Sequence, residues 1–357
     1  MTVVDTFVSQ VASVSTPETV NNASLKAESS STFDPSKHLQ FVSPSKVWSM
    51  KELQFPEDQG ISPVSVSEPF RLFSDQAVHN MRNEIFSKKV WSNHRFASKY
   101  AECQLRGYAR DHAPFIYSAW KSPETLAIIS RIAGIDLVPL MDYEIAHINI
   151  SGSTVDNLNP LTESTNASRE TSKVIPAPSP SESVEEKNDA IVSWHKDSYP
   201  FVCVTMLSDC TNMVGGETAL KTGTGQVIKV RGPGMGYAVV LQGRYIDHQA
   251  LRAFGGTERI SMVTSFRARS SGIKDDTVLK LVRPISNIDE LYEEYSEYRF
   301  QMMEDRFREA RQLMTEKLRN KAPYSVAETK AFIREQIEFL QQMDEQIIEH
   351  VGGKIVS

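Results

Sequence analysis

The chain has 357 residues, 40% of them hydrophobic and 24% charged, which is an ordinary globular balance at a length that can bury a sizeable core. Its 39 basic residues against 45 acidic ones leave a formal charge of -6, the wrong sign for a general polyanion binder, so nucleic acid is not expected as a partner. No run of about 18 apolar residues occurs, so no membrane partner or transmembrane helix is expected.

The N-terminal stretch MTVVDTFVSQVASVSTPETV lacks a basic region followed by a continuous apolar one, so no secretory signal is expected. Three cysteines, Cys103, Cys203 and Cys210, form an odd and sparse set without a CxxC pair. That argues against a disulfide scaffold and against zinc, and places the chain in a reducing, cytoplasmic compartment.

Residues 1–45 are rich in Ser, Thr, Val and Asn without sustained periodicity and read as a disordered segment. Folded structure is expected from about Val47. Helices are expected over 74–88, 94–107 and 121–135. The last has Ser122 as N-cap, Pro123 at its first position and Gly134 as its stop. A strand follows over Asp142–Ile150, with Tyr143, Ile145, His147 and Asn149 on one face and Glu144, Ala146, Ile148 and Ile150 on the other. Residues 151–190 are Ser/Thr/Pro/Glu-rich and read as a surface insertion within a domain, because strands resume directly after it.

Strands are then expected over 191–197, 200–207, 217–220, 226–231, 236–241 and 259–268, separated by Gly-rich turns. Short strands without intervening helices favour a sandwich or barrel over a parallel sheet. Residues 46–285 thus form one domain carrying the insertion. The remainder, 286–357, forms C-terminal helices: one over 288–319 and, after the break at Ala322-Pro323 and the capping box Ser325-x-x-Glu328, a second to about 350. This hairpin either packs on the domain that precedes it or serves as a homodimerisation element.

The segment SWHKDSYPFVCV contains His195-x-Asp197, and positions i and i+2 of a strand face the same side. His248 follows 51 residues after Asp197. Two histidines and one carboxylate are the facial triad of non-haem Fe(II) oxygenases, which leaves coordination positions open for a cosubstrate and dioxygen. Eleven residues after His248 stands Arg259-x-Ser261, again on one strand face. An arginine there can hold a carboxylate through two parallel hydrogen bonds. Arg252 and Arg244 flank His248 and are alternatives. Tyr143, His147 and Asn149 either line the pocket or satisfy one another as a structural network. Tyr199 and Pro200 are placed at the mouth of the site or in turn packing.

The combination of His-x-Asp, distal His and Arg-x-Ser resembles the Fe(II)/2-oxoglutarate-dependent dioxygenase superfamily, over about 190–270 and more loosely over Asp142–Asn149. GlyGlyGluThr at 215–218 is similar to a turn between core strands of its prolyl-hydroxylase-like members, and Gly255-Gly256-Thr257 lengthens the turn before Arg259 relative to the family. The phrases WHKDSYPFVCVTMLSDC and VVLQGRYIDHQALRAFGGTERISMVTSF resemble a fungal branch in which some members oxidise amino acids in natural-product pathways, one of them an aziridine-forming valine oxidase.

The resemblance implies a mostly β core with flanking helices, a double-stranded β-helix (jelly-roll) barrel with a C-terminal helical hairpin. It implies Fe(II) on His195, Asp197 and His248, with 2-oxoglutarate held by Arg259, Ser261 and Asn149. O2 and a small-molecule substrate complete the set, and the expected reaction is oxidation of a C–H bond. A cupin-type metal enzyme without 2-oxoglutarate and a non-catalytic interaction protein on the same scaffold are the competing classes.

Overall fold

The computed structural model describes residues 32–56, 58–97, 103–151, 190–254, 258–351 and 354–355, and Ser31–Ser357 forms one compact unit. The insertion 152–189 and the Gly255-Gly256-Thr257 turn lie outside the described residues, as does the N-terminal segment up to residue 31. The residues that follow it are folded: Pro35–His38 is a short helix capped by Asp34, and Phe33 and His38 are buried against Phe115 and Phe73. Folded structure therefore begins before Val47, because Phe33 supplies an aromatic anchor that a Ser-rich context conceals.

Two antiparallel sheets make the core. The larger runs in the order Val47–Ser49, Val64–Ser67, Tyr237–Leu241, Phe201–Met206, Arg259–Ala268, His147–Ser151, Cys103–Leu105, Arg95–Phe96. The smaller runs Val227–Val230, Thr218–Lys221, His248–Leu251, Ala190–His195. The long strand Arg259–Ala268 has Phe201–Met206 on one side and His147–Ser151 on the other. Alternation then divides its side chains. Ile260, Met262 and Phe266 enter the main apolar core. Arg259, Ser261, Val263 and Ser265 face a cavity that is also lined by the smaller sheet.

The apolar side of the larger sheet is covered by helices Asp75–Ile85, Pro114–Lys121 and Pro123–Ala133, through Ala77, Val78, Met81, Ile116, Trp120 and Ile129. Helix Pro123–Ala133 ends as its sequence indicates. Ser122 accepts a hydrogen bond from the Thr125 amide, and Gly134 adopts a left-handed φ of 68°.

Two segments depart from expectation. Residues 94–107 hold the strands Arg95–Phe96 and Cys103–Leu105 in place of a helix. In Asp142–Ile150, Asp142–Glu144 is a 3-10 turn, Ala146 has φ 62°, and only His147–Ser151 is strand. The left-handed residue shifts the alternation phase, so Glu144 shares the cavity with His147 and Asn149 instead of facing away.

The C-terminal helices span Ile288–Arg319 and Val326–Gln346, the second capped by Ser325. They pack on the rest of the unit through Leu291, Tyr295, Met302, Phe339 and Met343. The buried guanidinium of Arg299 ties them together: it donates to the Asp275 and Phe339 carbonyls at 2.9 Å each and lies over the Phe339 ring. No helix among the described residues is long and apolar enough to cross a membrane, and all three cysteines are free and buried.

Replacing Gly134 by Ala forces a side chain into the left-handed region and sets its Cβ 3.0 Å from Val64 Cγ2. The expected cost is about 1–2 kcal/mol of stability, read as a lower urea midpoint with an unchanged slope. An unchanged midpoint would show that the cap does not hold the helix end in place.

Candidate metal centre

Main-chain pairing sets the site. His248 begins its strand directly opposite His195, the last residue of Ala190–His195, so the two imidazoles project side by side with ring centroids 4.3 Å apart. Asp197 lies beyond the strand end. Its amide donates to the Gly243 carbonyl at 2.9 Å, which turns the carboxylate back toward the histidines. The i, i+2 rule thus places the residues correctly for a different reason from the one expected.

Asp197 Oδ1 is 3.5 Å from His195 Nε2 and 3.4 Å from His248 Nε2, and the three ligand atoms lie within 4.8 Å of one another. The Nδ1 atoms are 2.8 Å from the Ser193 carbonyl for His195 and 2.9 Å from the Ile246 carbonyl for His248. Each Nδ1–H can donate there, leaving the Nε2 lone pair aimed at the shared point, which is how outer partners orient metal-binding imidazoles. A two-nitrogen, one-carboxylate set with an open side suits a ferrous ion. The cradle is tight: a Cβ on Gly243 would stand 2.0 Å from Asp197 Oδ2.

Charge follows the same geometry. Burial alone would raise the Asp197 carboxyl, but His248 and then His195 hold it well below the usual range. Burial disfavours the His248 cation, yet the neighbouring carboxylate outweighs it and lifts this histidine above 6.5. A proton on His248 therefore competes with a metal cation for the same carboxylate.

The cavity has a volume of about 240 Å³ and is lined by both sheets and by Leu281, Val282 and Ile285 of the segment before the C-terminal helices. Arg259 and Ser261 line it, as expected from the sequence. Arg259 is buried, and among the described residues it has only long contacts of 3.5 Å, to Ser261 Oγ and the Gly216 carbonyl, and its Nε has no partner. Burial lowers its pKa, and no carboxylate of the described residues pairs with it. Arg252 is exposed, and Arg244 donates to the Asp276 carbonyl; neither lines the cavity.

Along the adjoining strands of the same sheet face runs a polar chain. Gln104 Nε2 donates to Asn149 Oδ1 at 2.9 Å and lies 3.1 Å from His147 Nε2. Arg106 contacts His147 Nδ1 at 3.3 Å and pairs with Glu144, which also accepts from the Tyr199 hydroxyl at 2.7 Å. Burial works against the Arg106 cation, but Glu144 more than offsets it. Burial and then Arg106 keep His147 neutral. So Asn149 and His147 belong both to the cavity wall and to a polar network that leaves Gln104 Oε1 and Arg106 Nε unpaired among the described residues, while Tyr143 turns away to bond Asn287 and Glu294. Gln104, Arg106 and Glu144 escaped the sequence reading. The alternation Cys103-Gln104-Leu105-Arg106 was the signal for the first two, hidden by assigning a helix there.

Together, the fold and the site define an antiparallel two-sheet protein with a metal-competent His-Asp-His centre. No family model matches the chain, and no curated protein matches it. Among solved structures, part of the chain is similar to an oxidoreductase of the 2OG-Fe(II) oxygenase family from Burkholderia pseudomallei, with a TM-score of 0.29 and 14% identity over 46% of this chain and 65% of that one. It is also similar to a Pseudomonas putida prolyl-4-hydroxylase, with a TM-score of 0.30 and 13% identity over 55% and 88%. A third is the non-heme alpha ketoglutarate dependent epimerase SnoN from nogalamycin biosynthesis, with a TM-score of 0.33 and 11% identity over 55% and 76%. At these identities the chemistry has to be read from the side chains themselves.

Gly243→Ala should weaken Fe(II) binding by about 10–100-fold in anaerobic calorimetry while the far-UV spectrum stays unchanged. Unchanged affinity would mean that the carboxylate is not confined where it stands. Because the ligands bind metal as neutral imidazole and ionised carboxylate, affinity should also fall as pH drops through the raised His248 value. Affinity that is flat with pH from neutral down to 5 would contradict the assignment.

Proposed function

We propose that this chain is a non-haem Fe(II)- and 2-oxoglutarate-dependent oxygenase that oxidises a C–H bond of a small molecule, its two facing sheets forming a double-stranded β-helix. One observation carries the reading: the His195, Asp197 and His248 ligand atoms converge on the same cavity into which the buried Arg259 projects, with no counterion among the described residues. Burying such a guanidinium is costly, and a ligand carboxylate is a group that would relieve it. Ser261 Oγ adds a donor beside it.

A bound ferrous ion with 2-oxoglutarate would supply dioxygen activation and the reducing electrons. The chain's own residues do the rest. His195, Asp197 and His248 hold the ion from one side. Arg259 and Ser261 fix the far carboxylate of the cosubstrate. Asn149, oriented by Gln104, stands beside Ser261 on the neighbouring strand, in register with it. The apolar side chains Val202, Val204, Val263, Leu241 and Ile285 keep water from the remaining space.

Charge balance bears on the substrate. The ionised residues of the lining, among the described residues, are Arg106, Arg259, Glu144 and Asp197, which sum to zero. A divalent ion and a dianionic cosubstrate also sum to zero. Burying a net charge in such a site is unfavourable, so the substrate carries none, either as an uncharged molecule or as a zwitterion. A volume of about 240 Å³ favours a small one. An amino acid of fungal secondary metabolism, undergoing hydroxylation, desaturation or ring closure, meets both conditions and agrees with the sequence resemblance.

Arg259→Ala should raise the apparent 2-oxoglutarate constant at least about tenfold in a succinate assay, since a charge-assisted hydrogen bond contributes about 1.5–3 kcal/mol. Fe(II) binding should persist, and Arg259→Lys should fall between. Arg252→Ala, at an exposed position, should leave the constant unchanged. Succinate formation that is insensitive to Arg259→Ala would remove the anchor, and oxidation of a substrate without 2-oxoglutarate would favour a cupin-type enzyme.

A further inference from the structure

Helix Val326–Gln346 carries two apolar stripes. One, through Phe332, Phe339 and Met343, faces its own chain: Phe332 meets Phe307 edge-on with ring centroids 5.6 Å apart, and Phe339 and Met343 are buried. The other consists of Val326, Ile333, Ile337 and Leu340, with Ile347 just past the last turn, and these are 40% to 58% exposed. Their spacing is that of a coiled-coil seam, with steps of seven from Val326 through Ile333 and Leu340 to Ile347. At roughly 100° per residue the five project within about 40° of Ile333, about a quarter turn from the intrachain stripe. An ordered helix that shows a second continuous apolar stripe to water is unusual unless something covers it.

The charges along it indicate what covers it. Lys330 and Asp344 lie in the seam itself, seven residues before and after Ile337, and Arg334 lies at its edge; all three are exposed and none forms an ion pair among the described residues. Turned antiparallel about Ile337, a second copy sets Ile347 against Val326 and Leu340 against Ile333. The same operation sets Asp344 against Lys330. The pattern is its own complement under a two-fold axis, as an isologous interface requires. A parallel pairing would stack Lys330 on Lys330 and Asp344 on Asp344, and like-charge contacts oppose it. The geometry points to a homodimer: we infer that two copies pair antiparallel through this seam. The site lies apart from the metal cavity and the inference does not depend on the proposed chemistry.

Sedimentation of the full-length chain over a dilution series tests it. The expected result is a reversible dimer. Leu340→Glu, which sets a carboxylate against Ile333 of the other copy, should give a monomer. Asp344→Lys should raise the dissociation constant at least about tenfold by opposing Lys330, and Lys330→Asp combined with Asp344→Lys should restore it. The charge reversals sit at exposed positions, so they keep the test valid if the Leu340 variant fails to fold. A wild-type chain that stays monomeric throughout, or a dimer indifferent to Asp344→Lys, would overturn the inference.

Discussion

The register between His248–Leu251 and Ala190–His195 is the constraint on which the rest depends. Pairing His248 with His195 fixes two imidazoles side by side through main-chain hydrogen bonds, without help from side-chain packing. The turn that follows is held by the Asp197 amide on the Gly243 carbonyl, and only glycine leaves room there for the carboxylate. A slip of one residue in this pairing would send His248 to the opposite face of the sheet. The ligand set is thus a property of backbone topology, with Nδ1 contacts to carbonyls setting the last degree of freedom.

The larger sheet supplies what a metal alone cannot: direction and polarity. Its apolar face is spent on the helices, so its cavity face is free to carry Arg259, Ser261, Asn149, His147 and Gln104. The buried pair of Arg106 and Glu144, completed by Tyr199, anchors one end of this row. Such pairs add little net stability, but removing one partner leaves an uncompensated charge, so they hold geometry firmly. Among the described residues Arg259 has no such partner and differs from Arg106 in this respect. The C-terminal helix reaches the same wall, since Tyr143, beside Glu144, bonds both Asn287 and Glu294.

How much of this the sequence reveals depends on the kind of signal. Spacing motifs survive well: His195, Asp197, His248, Arg259 and Ser261 all meet at one cavity. Capping chemistry is equally legible at Ser122, Gly134 and Ser325, because each acts locally. Long alternating runs such as 259–268 read correctly as strands. The two- and three-residue strands Arg95–Phe96 and Cys103–Leu105 do not, since they are too short to show a period. That loss hid Gln104 and Arg106. Nothing in the composition marks Ala146 as left-handed, and that one dihedral decides which way Glu144 faces. The strand status of His248–Leu251 is likewise invisible in GRYIDHQALRAF, because its pairing partners Thr218–Lys221 and Ala190–His195 lie far upstream in the chain.

The central claim is that one cavity binds a ferrous ion through His195, Asp197 and His248 and a 2-oxo dicarboxylate chelating that ion. An anaerobic titration of the Fe(II)-loaded chain with 2-oxoglutarate, followed by visible absorption, tests it directly. The account predicts a metal-to-ligand charge-transfer band that saturates at one equivalent of iron per chain and is absent from Asp197→Ala and His248→Ala. A chain that binds no iron, or binds it without developing the band at any 2-oxoglutarate concentration, would contradict it.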